Sequence, residues 1–357
     1  MARIGIAGAG LAGRLAAWAL ARAGHHVEVV DPAAGPEPVF DGQGAAAFSA
    51  AGMLSPLAEQ DGAGPGKAAL IAAWGWRSIA LWPCIAAALR RPPRLSLEGS
   101  LLLAHGPDRA SAQRALARID GAEALDQVAL RGLEPALAAA TARGLHAWLL
   151  PGEGLISPVD ALMALHDEAP GVRWHWGRHA TRVAPGQLTL DDDGRIDCDW
   201  AIDMRGLGAR EAITLRGVRG ETVWLDLPGH GLRRPLRLLH PRHRVYLVPR
   251  DERQIVVGAS EIESEDRSPV SLQSAVELMA AAHSVLPALG EARILRLDRN
   301  LRPATLDHLP HCHCEPGLIR LNGLYRHGWL LAPARVDALL REAGLPSLDS
   351  THANPTR

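Results

Sequence analysis

Short apolar runs and longer amphipathic segments alternate along most of the chain. At the N-terminus, Ile4 and Ile6 predict a buried strand, Leu15–Ala23 predicts a helix, and Val27–Val30 predicts a second strand. Short apolar runs bounded by glycine are typical of buried strands, whereas a period near 3.6 residues is typical of helices. The pattern therefore predicts a mixed α/β protein that begins with a βαβ unit.

The same pattern predicts further elements downstream. Helices are expected at 67–89, 108–119, 134–142, 159–168, 270–285 and 334–342. Strands are expected at 95–103, 145–150, 172–183, 200–202, 218–225, 244–248, 254–259 and 318–322. Ser157 is expected to cap the helix at 159–168, with Asp160 in its first turn. Alternation of apolar and polar residues in the strands around 218–259 predicts antiparallel pairing there.

A glycine-rich turn joins the first strand to the first helix and has the pattern G-x-G-x-x-G. In a βαβ unit, such glycines permit a tight turn and place a pyrophosphate on the helix N-terminus. Asp31 ends the second strand 18 positions after Gly13, where an acid can accept hydrogen bonds from the ribose of an adenosine. This context favours FAD or NAD over NADP and leaves the first two open. The expected contacts are Gly8, Gly10, Leu11, Ala12, Gly13 and Asp31.

Composition narrows the class of protein. The 357 residues are 47% hydrophobic, enough for two domains or one large α/β domain, and 38 basic against 39 acidic residues give a net charge of −1. This balance argues against nucleic acid or an anionic membrane as partner and favours a small neutral or zwitterionic substrate. Lys67 is the only lysine and follows a Gly/Pro-rich loop, a poor place for a pyridoxal-phosphate Schiff base.

Cysteine usage and apolar runs bear on the compartment. The four cysteines are too few and too dispersed for a disulfide framework, which favours a reducing compartment. Glycines interrupt the N-terminal apolar residues, and we expect no apolar run of membrane-spanning length. A cytoplasmic protein is expected. The sequence His311-Cys-His-Cys314 alternates faces in an extended segment, so we expect no metal there.

The segment 45–56 is rich in Ala, Gly and Ser. Small residues let a backbone lie flat against a large planar ligand, but an ordinary helix N-terminus in an alanine-rich protein explains them equally well. Both interpretations stay open from composition alone. Downstream, an apolar strand runs into Asp203 and a turn containing Gly206 and Gly208, which is expected to return the chain to the nucleotide-binding fold.

Taken in order, several segments resemble the D-amino-acid-oxidase family of FAD enzymes, most closely its glycine oxidases. They are the βαβ unit, Ser49–Pro56, Ile202–Ala209, Val245–Pro249, Val257–Ser260, Leu301–Pro303 with Asp307, and Tyr325–Pro333. The resemblance implies a discontinuous Rossmann-like FAD-binding domain, formed by 1–84, 152–212 and 296–345. It also implies an inserted substrate domain, 85–151 and 213–295, built on a mixed, largely antiparallel sheet. Residues 346–357 are expected to form a disordered tail.

The resemblance also assigns residues. Three residues are expected to be catalytic: Arg302 matches the arginine that clamps the substrate carboxylate, Tyr246 matches the tyrosine that reaches the same carboxylate, and Arg326 matches a position beside the flavin. Further matches to cofactor-binding positions are Ser49, Ala51, Gly52, Met53, Val183, Gly206, Leu207, Arg326, His327 and Gly328. Some relatives attach flavin through a cysteine that precedes the segment of Arg302, whereas Cys312 follows it here. Non-covalent FAD is therefore expected.

The implied reaction is FAD-dependent oxidative deamination of glycine or another small amino acid or amine. Dioxygen would be reduced to hydrogen peroxide, with ammonia and an imine or oxo acid as the other products, and thiazole synthesis for thiamine is one setting. A D-amino-acid or sarcosine-type dehydrogenase or oxidase, and a flavin-binding accessory protein without turnover, stay open, as does a homo-oligomer. Two departures bear on substrate identity: Arg244 stands where glycine oxidases can carry histidine, and His327 stands where a small polar residue is expected.

Overall fold

The computed structural model describes residues 1–62, 64–239 and 244–349. Its helices are α1 (Leu11–Arg22), α2 (Ala46–Ser49), α3 (Pro65–Ala87), α4 (Arg109–Leu116), α5 (Gln127–Leu133), α6 (Ala138–Ala142), α7 (Pro158–Asp167), α8 (Leu272–Val285) and α9 (Gly328–Glu342). Strands β1 to β10 are Arg3–Ala7, His26–Asp31, Met53–Leu54, Leu95–Ser96, Ser100–Ala104, Glu123–Leu125, His146–Leu150, Gly154–Ile156, Arg173–Trp176 and Ala180–Ala184. Strands β11 to β20 are Gln187–Leu190, Arg195–Asp197, Trp200–Asp203, Arg216–Asp226, Leu236–Leu239, Arg244–Pro249, Gln254–Gly258, Arg293–Ala304, His311–Glu315 and Leu318–Asn322.

The predicted βαβ unit forms the centre of a six-stranded sheet with the order β19-β20-β13-β1-β2-β9. All neighbours are parallel except β19, which runs antiparallel to β20. Helix α1 is buried along nearly its whole length and packs with α7 and α9 in the main hydrophobic core. The carboxyl ends of β1, β13 and β20 therefore meet at one edge, where the glycine turn follows β1.

A second, eight-stranded sheet has the order β18-β14-β17-β16-β15-β5-β7-β6. Its pairs are antiparallel except β15 with β5, so the mixed, largely antiparallel sheet expected from the resemblance is confirmed. Helix α8 covers one face and shares a separate core with β14, β16 and β17. The other face carries Tyr246 and Arg302 toward the six-stranded sheet.

Two predicted strands are broken by glycine. The run 95–103 divides at Gly99 (φ +90°), so that β4 joins a small three-stranded sheet while β5 enters the eight-stranded one. The run 172–183 divides at Gly177 (φ +69°), and β10 leaves the sheet that β9 joins. Because positive φ is readily adopted only by glycine, each break redirects a chain whose apolar pattern is continuous.

Helix predictions were also wrong in places. Helix α9 begins at Gly328, six residues before the expected start, and accommodates Pro333 in its interior. Helix α5 was missed, and the start of the predicted helix 134–142 is a short 3-10 turn over Pro135–Leu137. Ser157 precedes α7 but makes no side-chain cap, whereas Asp160 lies in the first turn as expected.

The C-terminal residues that the structure describes are packed, contrary to the tail expected from 346 onward. Leu348 is buried, and its backbone N–H donates to Asp337 Oδ1 at 2.9 Å. Asp349 pairs with Arg77 of α3 and with Arg341 of α9. Residues 350–357 lie outside the described residues, so the expectation stands untested there.

Helix α3 corrects a further expectation. The 22 residues 66–87 are long and apolar enough, by length and composition alone, to cross a membrane. Half of the most apolar window is buried inside the protein, where α3 packs against α9 as a core helix does. The exposed side chain of Lys67 lies in the first turn of this helix and donates from Nζ to the carbonyl of Asp307 at 2.8 Å.

The proposed domain boundaries follow the two sheets except at one point. The boundary at 295/296 falls inside β18, whose whole length pairs with β14 at the edge of the eight-stranded sheet. We therefore propose that the substrate domain includes β18 through Ala304, and that the last segment of the cofactor domain begins after it.

Candidate active site

The glycine turn is closely packed against its surroundings at Gly8 and Gly13. A side chain on Gly8, which has φ +101°, would overlap the carbonyl of Met204, and one on Gly13 would overlap the carbonyl of Gly8. Gly10 differs, because a Cβ there would meet no atom within 4 Å and would point into open space. Gly10 is also the N-cap of α1, with no side-chain cap and no acidic residue in the first turn. The first backbone N–H groups of α1 thus face a space suited to an anion.

Asp31 lies at the end of β2, as predicted, beside this turn. Its Oδ2 accepts from the backbone N–H of Ala9 at 2.6 Å, and its Oδ1 accepts from that of Ala33 at 2.9 Å. An ionised carboxylate has about four lone-pair positions, so these two bonds leave acceptor capacity for a ribose. Asp31 therefore both holds the glycine turn and is able to bind a hydroxyl.

One cavity of about 1280 Å³ extends from the glycine turn to the eight-stranded sheet. It exceeds the roughly 300–1,000 Å³ typical of a drug-sized ligand. Of the residues singled out in the sequence, the cavity is lined by Gly8, Gly10, Leu11, Ala12, Asp31, Ser49, Ala51, Gly52, Met53, Gly206, Leu207, Tyr246, Arg302, Arg326, His327 and Gly328. A dinucleotide and a small substrate fit this volume together.

Two predicted cofactor residues do not line the cavity among the residues described. Gly13 lies beneath the turn, where it permits the contact with Gly8. Val183 is buried in a small core against Leu188 and Ala201, and its carbonyl accepts from Arg320 Nη2 at 2.9 Å. Ala180, at the start of the same strand, lines the cavity instead.

The segment 45–56 combines both interpretations left open by its composition. Ala46–Ser49 forms the short helix α2, and the chain then extends through Ala50 to Met53 along the cavity. Gly52 has φ +69°, and a side chain there would overlap the carbonyl of Ile156. Small side chains at 50–52 therefore leave the backbone accessible to a planar ring.

The turn after β13 is held by residues that the sequence did not single out. Asn322 is 2% exposed; its Oδ1 accepts from the N–H of Gly206 at 2.7 Å, and its Nδ2 donates to the carbonyl of Asp203 at 3.1 Å. Arg205 pairs bidentately with the buried carboxylate of Asp203. Its charge is thereby compensated by Asp203, while Arg205 also lines the cavity.

The side chains of Arg302 and Tyr246 each lie over a glycine of the eight-stranded sheet. A side chain on Gly220 of β14 would overlap the guanidinium of Arg302, and one on Gly258 of β17 would overlap the phenol of Tyr246. Arg302 Nη1 and Nη2 both donate to the carbonyl of Ser260 at 3.1 Å. Among the described residues, no carboxylate lies within ion-pair distance of Arg302.

Tyr246 is a neutral hydrogen-bond donor in this site. Burial raises the pKa of its hydroxyl, although the nearby charges of Arg302, Arg250 and Arg237 act in the opposite direction. A neutral phenol beside an arginine without an acidic partner is suited to binding one carboxylate.

The ion-pair network that lies in the same cavity as Arg302 and Tyr246 was not predicted from the sequence. Glu59 is 8% exposed; its Oε1 accepts from Arg237 Nη2 at 3.0 Å, and its Oε2 lies 2.9 Å from Arg326 Nη2. Arg326 also approaches Glu261, which accepts from the hydroxyl of Tyr325 at 2.5 Å. Burial alone would raise the pKa of Glu59, but Arg326, His327 and Arg237 hold it well below its usual range. Arg326 is therefore an ion-pair partner of two acids rather than a free cation.

His327 lies next to this network. Its Nδ1 is 3.6 Å from Glu59 Oε2, and burial lowers the pKa of the imidazole to about 4 despite that carboxylate. The ring is consequently neutral near pH 7. The backbone of Arg244 begins β16, but its side chain lies outside the described residues, so its effect on specificity stays a prediction.

Comparisons with known proteins identify the family. A model of the DAO family, described as FAD-dependent oxidoreductases, matches residues 3–336. This chain belongs to that family. The resemblance drawn from the motifs is thus confirmed, as is FAD as the cofactor of this oxidoreductase. A relative from Rhizobium etli, named as the thiamine biosynthesis oxidoreductase ThiO, is 38% identical over 350 residues, covering 96% of this chain and 98% of the relative.

Solved structures of two oxidases share the fold. Glycine oxidase from Geobacillus kaustophilus has a TM-score of 0.79 at 24% identity, covering 100% of this chain and 96% of its own. Iminodiacetate oxidase from Chelativorans sp. BNC1 has a TM-score of 0.78 at 24% identity, covering 97% and 96%. The expected Rossmann-like fold class is confirmed.

The residues of this oxidoreductase fit FAD. The open space at Gly10, the uncapped N-terminus of α1 and the acceptor capacity of Asp31 suit the adenosine diphosphate. The small side chains of Ala50, Ala51 and Gly52, which line the cavity, suit close approach of the flavin. None of the four cysteines, all of which the structure describes, lines the cavity, so we propose that FAD is held without a covalent bond.

Proposed function

We propose that this protein oxidises glycine or another small amino acid, using FAD and dioxygen, to an imine that hydrolyses to an oxo acid and ammonia. The observation that carries the proposal is the guanidinium of Arg302. It lies in the cofactor cavity without an acidic partner among the described residues, beside the neutral hydroxyl of Tyr246. The names of the Rhizobium and Geobacillus relatives support the same chemistry, with thiamine synthesis as its setting.

Charges around the cavity support a substrate with a carboxylate. The cations of Arg237 and Arg326 are compensated by Glu59 and Glu261. Arg302 and Arg267 line the cavity without a carboxylate at ion-pair distance among the described residues, and Arg302 is the one that lies beside the hydroxyl of Tyr246. The α-carboxylate of an amino acid would match the charge of Arg302.

Catalysis by this chain is then mainly orientation. FAD, held at the glycine turn and along residues 50–53, would supply the acceptor for a hydride from the substrate α-carbon, with dioxygen as the final oxidant. Arg302 fixes the carboxylate through two parallel hydrogen bonds, and the Tyr246 hydroxyl donates a further one. Glu59 pairs with Arg326 at 2.9 Å and thereby compensates its charge within the same cavity.

Arg302→Ala tests the assignment of the clamp. Loss of a buried charge-assisted pair costs about 2–5 kcal/mol, or roughly 30- to several-thousand-fold in kcat/KM for glycine, while the protein stays folded and yellow. Arg302→Lys should recover only part of the loss because an ammonium lacks the two-pronged geometry. Arg299→Ala, on the same strand with its guanidinium on the carbonyl of Arg267, is the matched control.

The assay couples peroxide release to a peroxidase dye, with glycine, sarcosine, D-alanine and the carboxylate-free ethylamine as substrates. We expect Arg302→Ala to affect the three amino acids and to leave the low rate with ethylamine unchanged. Equal losses on all four would show that Arg302 does not hold the carboxylate. Flavin reduction by glycine without peroxide would indicate a dehydrogenase, and absence of flavin reduction by any amine would contradict the proposed function.

A further inference from the structure

Arg14 is a buried arginine in the second turn of α1, just beyond the glycine turn. It is 1% exposed, and three of its nitrogen atoms donate to backbone carbonyls, each at 2.8 Å. Nε donates to Ala9, Nη1 donates to Leu162 of α7, and Nη2 donates to Pro36. One side chain thus connects the glycine turn, the segment after Asp31 and a packed helix.

The charge of Arg14 has no direct acidic partner. Among the described residues, no carboxylate lies within ion-pair distance of it, and Asp31, Asp167 and Glu37 act only through space. Burial lowers its pKa to about 10, so the guanidinium keeps its proton at neutral pH. The rings of Phe48 and Trp176 lie 5.3 and 5.6 Å from its central carbon. A full positive charge is therefore held in a nearly dry environment.

Burial of an unpaired cation is costly, and a leucine would fill the same position in a helix at less expense. The position of Arg14 beside the cofactor cavity indicates a function that offsets this cost in stability. Both loops that Arg14 holds line the cofactor cavity, through Gly10 on one side and through Pro32 and Ala33 on the other. The cation also adds to the positive end of α1, where the diphosphate is placed above.

We propose that Arg14 is a positioning residue for FAD. It sets the carbonyls of Ala9 and Pro36 so that the backbone N–H groups of the glycine turn face the diphosphate before the cofactor binds. It also supplies a buried positive charge one helical turn behind them. The inference rests on the placement of the diphosphate at Gly10 and does not depend on which amino acid is oxidised.

A structural arginine and a positioning arginine differ in what their loss changes. A structural role would lower stability without a specific effect on the cofactor. Arg234 provides the comparison, because it is also buried and donates from Nη1 to the carbonyl of Leu133 at 2.6 Å. It lies among residues that do not line the cavity and pairs with the buried Glu134.

The test measures the dissociation constant of FAD by flavin fluorescence on deflavinated wild type, Arg14→Met, Arg14→Lys and Arg234→Met. We expect Arg14→Met to raise Kd at least about 10-fold, Arg14→Lys to raise it less because it keeps the charge, and Arg234→Met to stay within about twofold despite a lower Tm. A Kd for Arg14→Met within about twofold of wild type, or a rise no larger than that of Arg234→Met, would overturn the inference.

If Arg14→Met does not yield folded protein, Arg14→Lys decides alone. A raised Kd then supports the inference, and a wild-type Kd overturns it. Because the readout is binding of FAD without substrate, its outcome is independent of the peroxide assay above.

Discussion

Gly220 determines where the guanidinium of Arg302 lies, although it carries no side chain of its own. An alanine there would overlap the far end of the Arg302 side chain, which is able to move, and no backbone atom is among the nearest contacts. We therefore predict that Gly220→Ala leaves the fold and the flavin spectrum intact but raises KM for glycine by about 10-fold, by displacing a charge-assisted contact worth about 1.4 kcal/mol or more.

Steady-state kinetics on Gly220→Ala, Arg302→Ala and the double variant test this coupling. If Gly220 acts through Arg302, the double variant should be no worse than Arg302→Ala. Gly217→Ala on the same strand, where the nearest contacts are Leu301 and Glu265, is the control and should keep a wild-type KM. Additive losses in the double variant would show that Gly220 has a separate role.

At the scale of an element, two glycines at the N-terminus of α1 look equivalent in the motif but have different surroundings. A Cβ added at Gly10 would meet no atom within 4 Å and would point into open space, whereas one added at Gly13 would collide with the carbonyl of Gly8. We predict that Gly10→Val yields folded protein that loses FAD on gel filtration, and that Gly13→Val lowers Tm or prevents folding. Yellow Gly10→Val protein would contradict the placement of the diphosphate.

The helices and strands were predictable where one continuous apolar pattern in the sequence corresponds to one uninterrupted element of the structure. The βαβ unit, α8 and the antiparallel strands β14, β16 and β17 lie close to where the apolar periodicity put them. The breaks at Gly99 and Gly177 were missed because an apolar run does not show which sheet each half joins. Helix α9 was predicted too short because Pro333 usually ends or bends a helix.

At the scale of the whole molecule, the candidate site was predictable only in part. Motifs of adjacent residues indicated the cofactor turn, and the family resemblance supplied Arg302 and Tyr246, which the fold brings to one cavity. The network of Glu59, Arg237 and Arg326 was not predictable, because its members lie far apart in sequence and carry no local motif. Only tertiary packing brings them together.

His327, next to that network, makes the stability of the whole protein depend on pH. An unfolded imidazole titrates near pH 6.5, whereas the buried ring has a pKa of about 4. Between these values the unfolded state binds more protons. The free energy of unfolding is therefore unaffected by the titration of His327 above pH 6.5. It falls by about 3 kcal/mol in all as the pH is lowered toward 4.

Urea denaturation of wild type and His327→Asn at pH 7.5, 6 and 5 measures this contribution. The free energy of unfolding should fall less steeply with acidification in the variant, since asparagine does not titrate. The exposed His313 on β19 provides the control, and His313→Asn should keep the wild-type slope. Parallel curves for wild type and His327→Asn would contradict the assignment.

The single lysine gives this molecule a built-in attachment point. Lys67 is exposed, and its ammonium reaches the carbonyl of Asp307, five residues along the chain from Arg302. Apart from the α-amino group of Met1, an amine-reactive fluorophore would therefore find one side chain to label in the unmodified protein, beside the loop that follows Arg302. With the α-amino group blocked, emission from Lys67 would report movements of that loop during turnover.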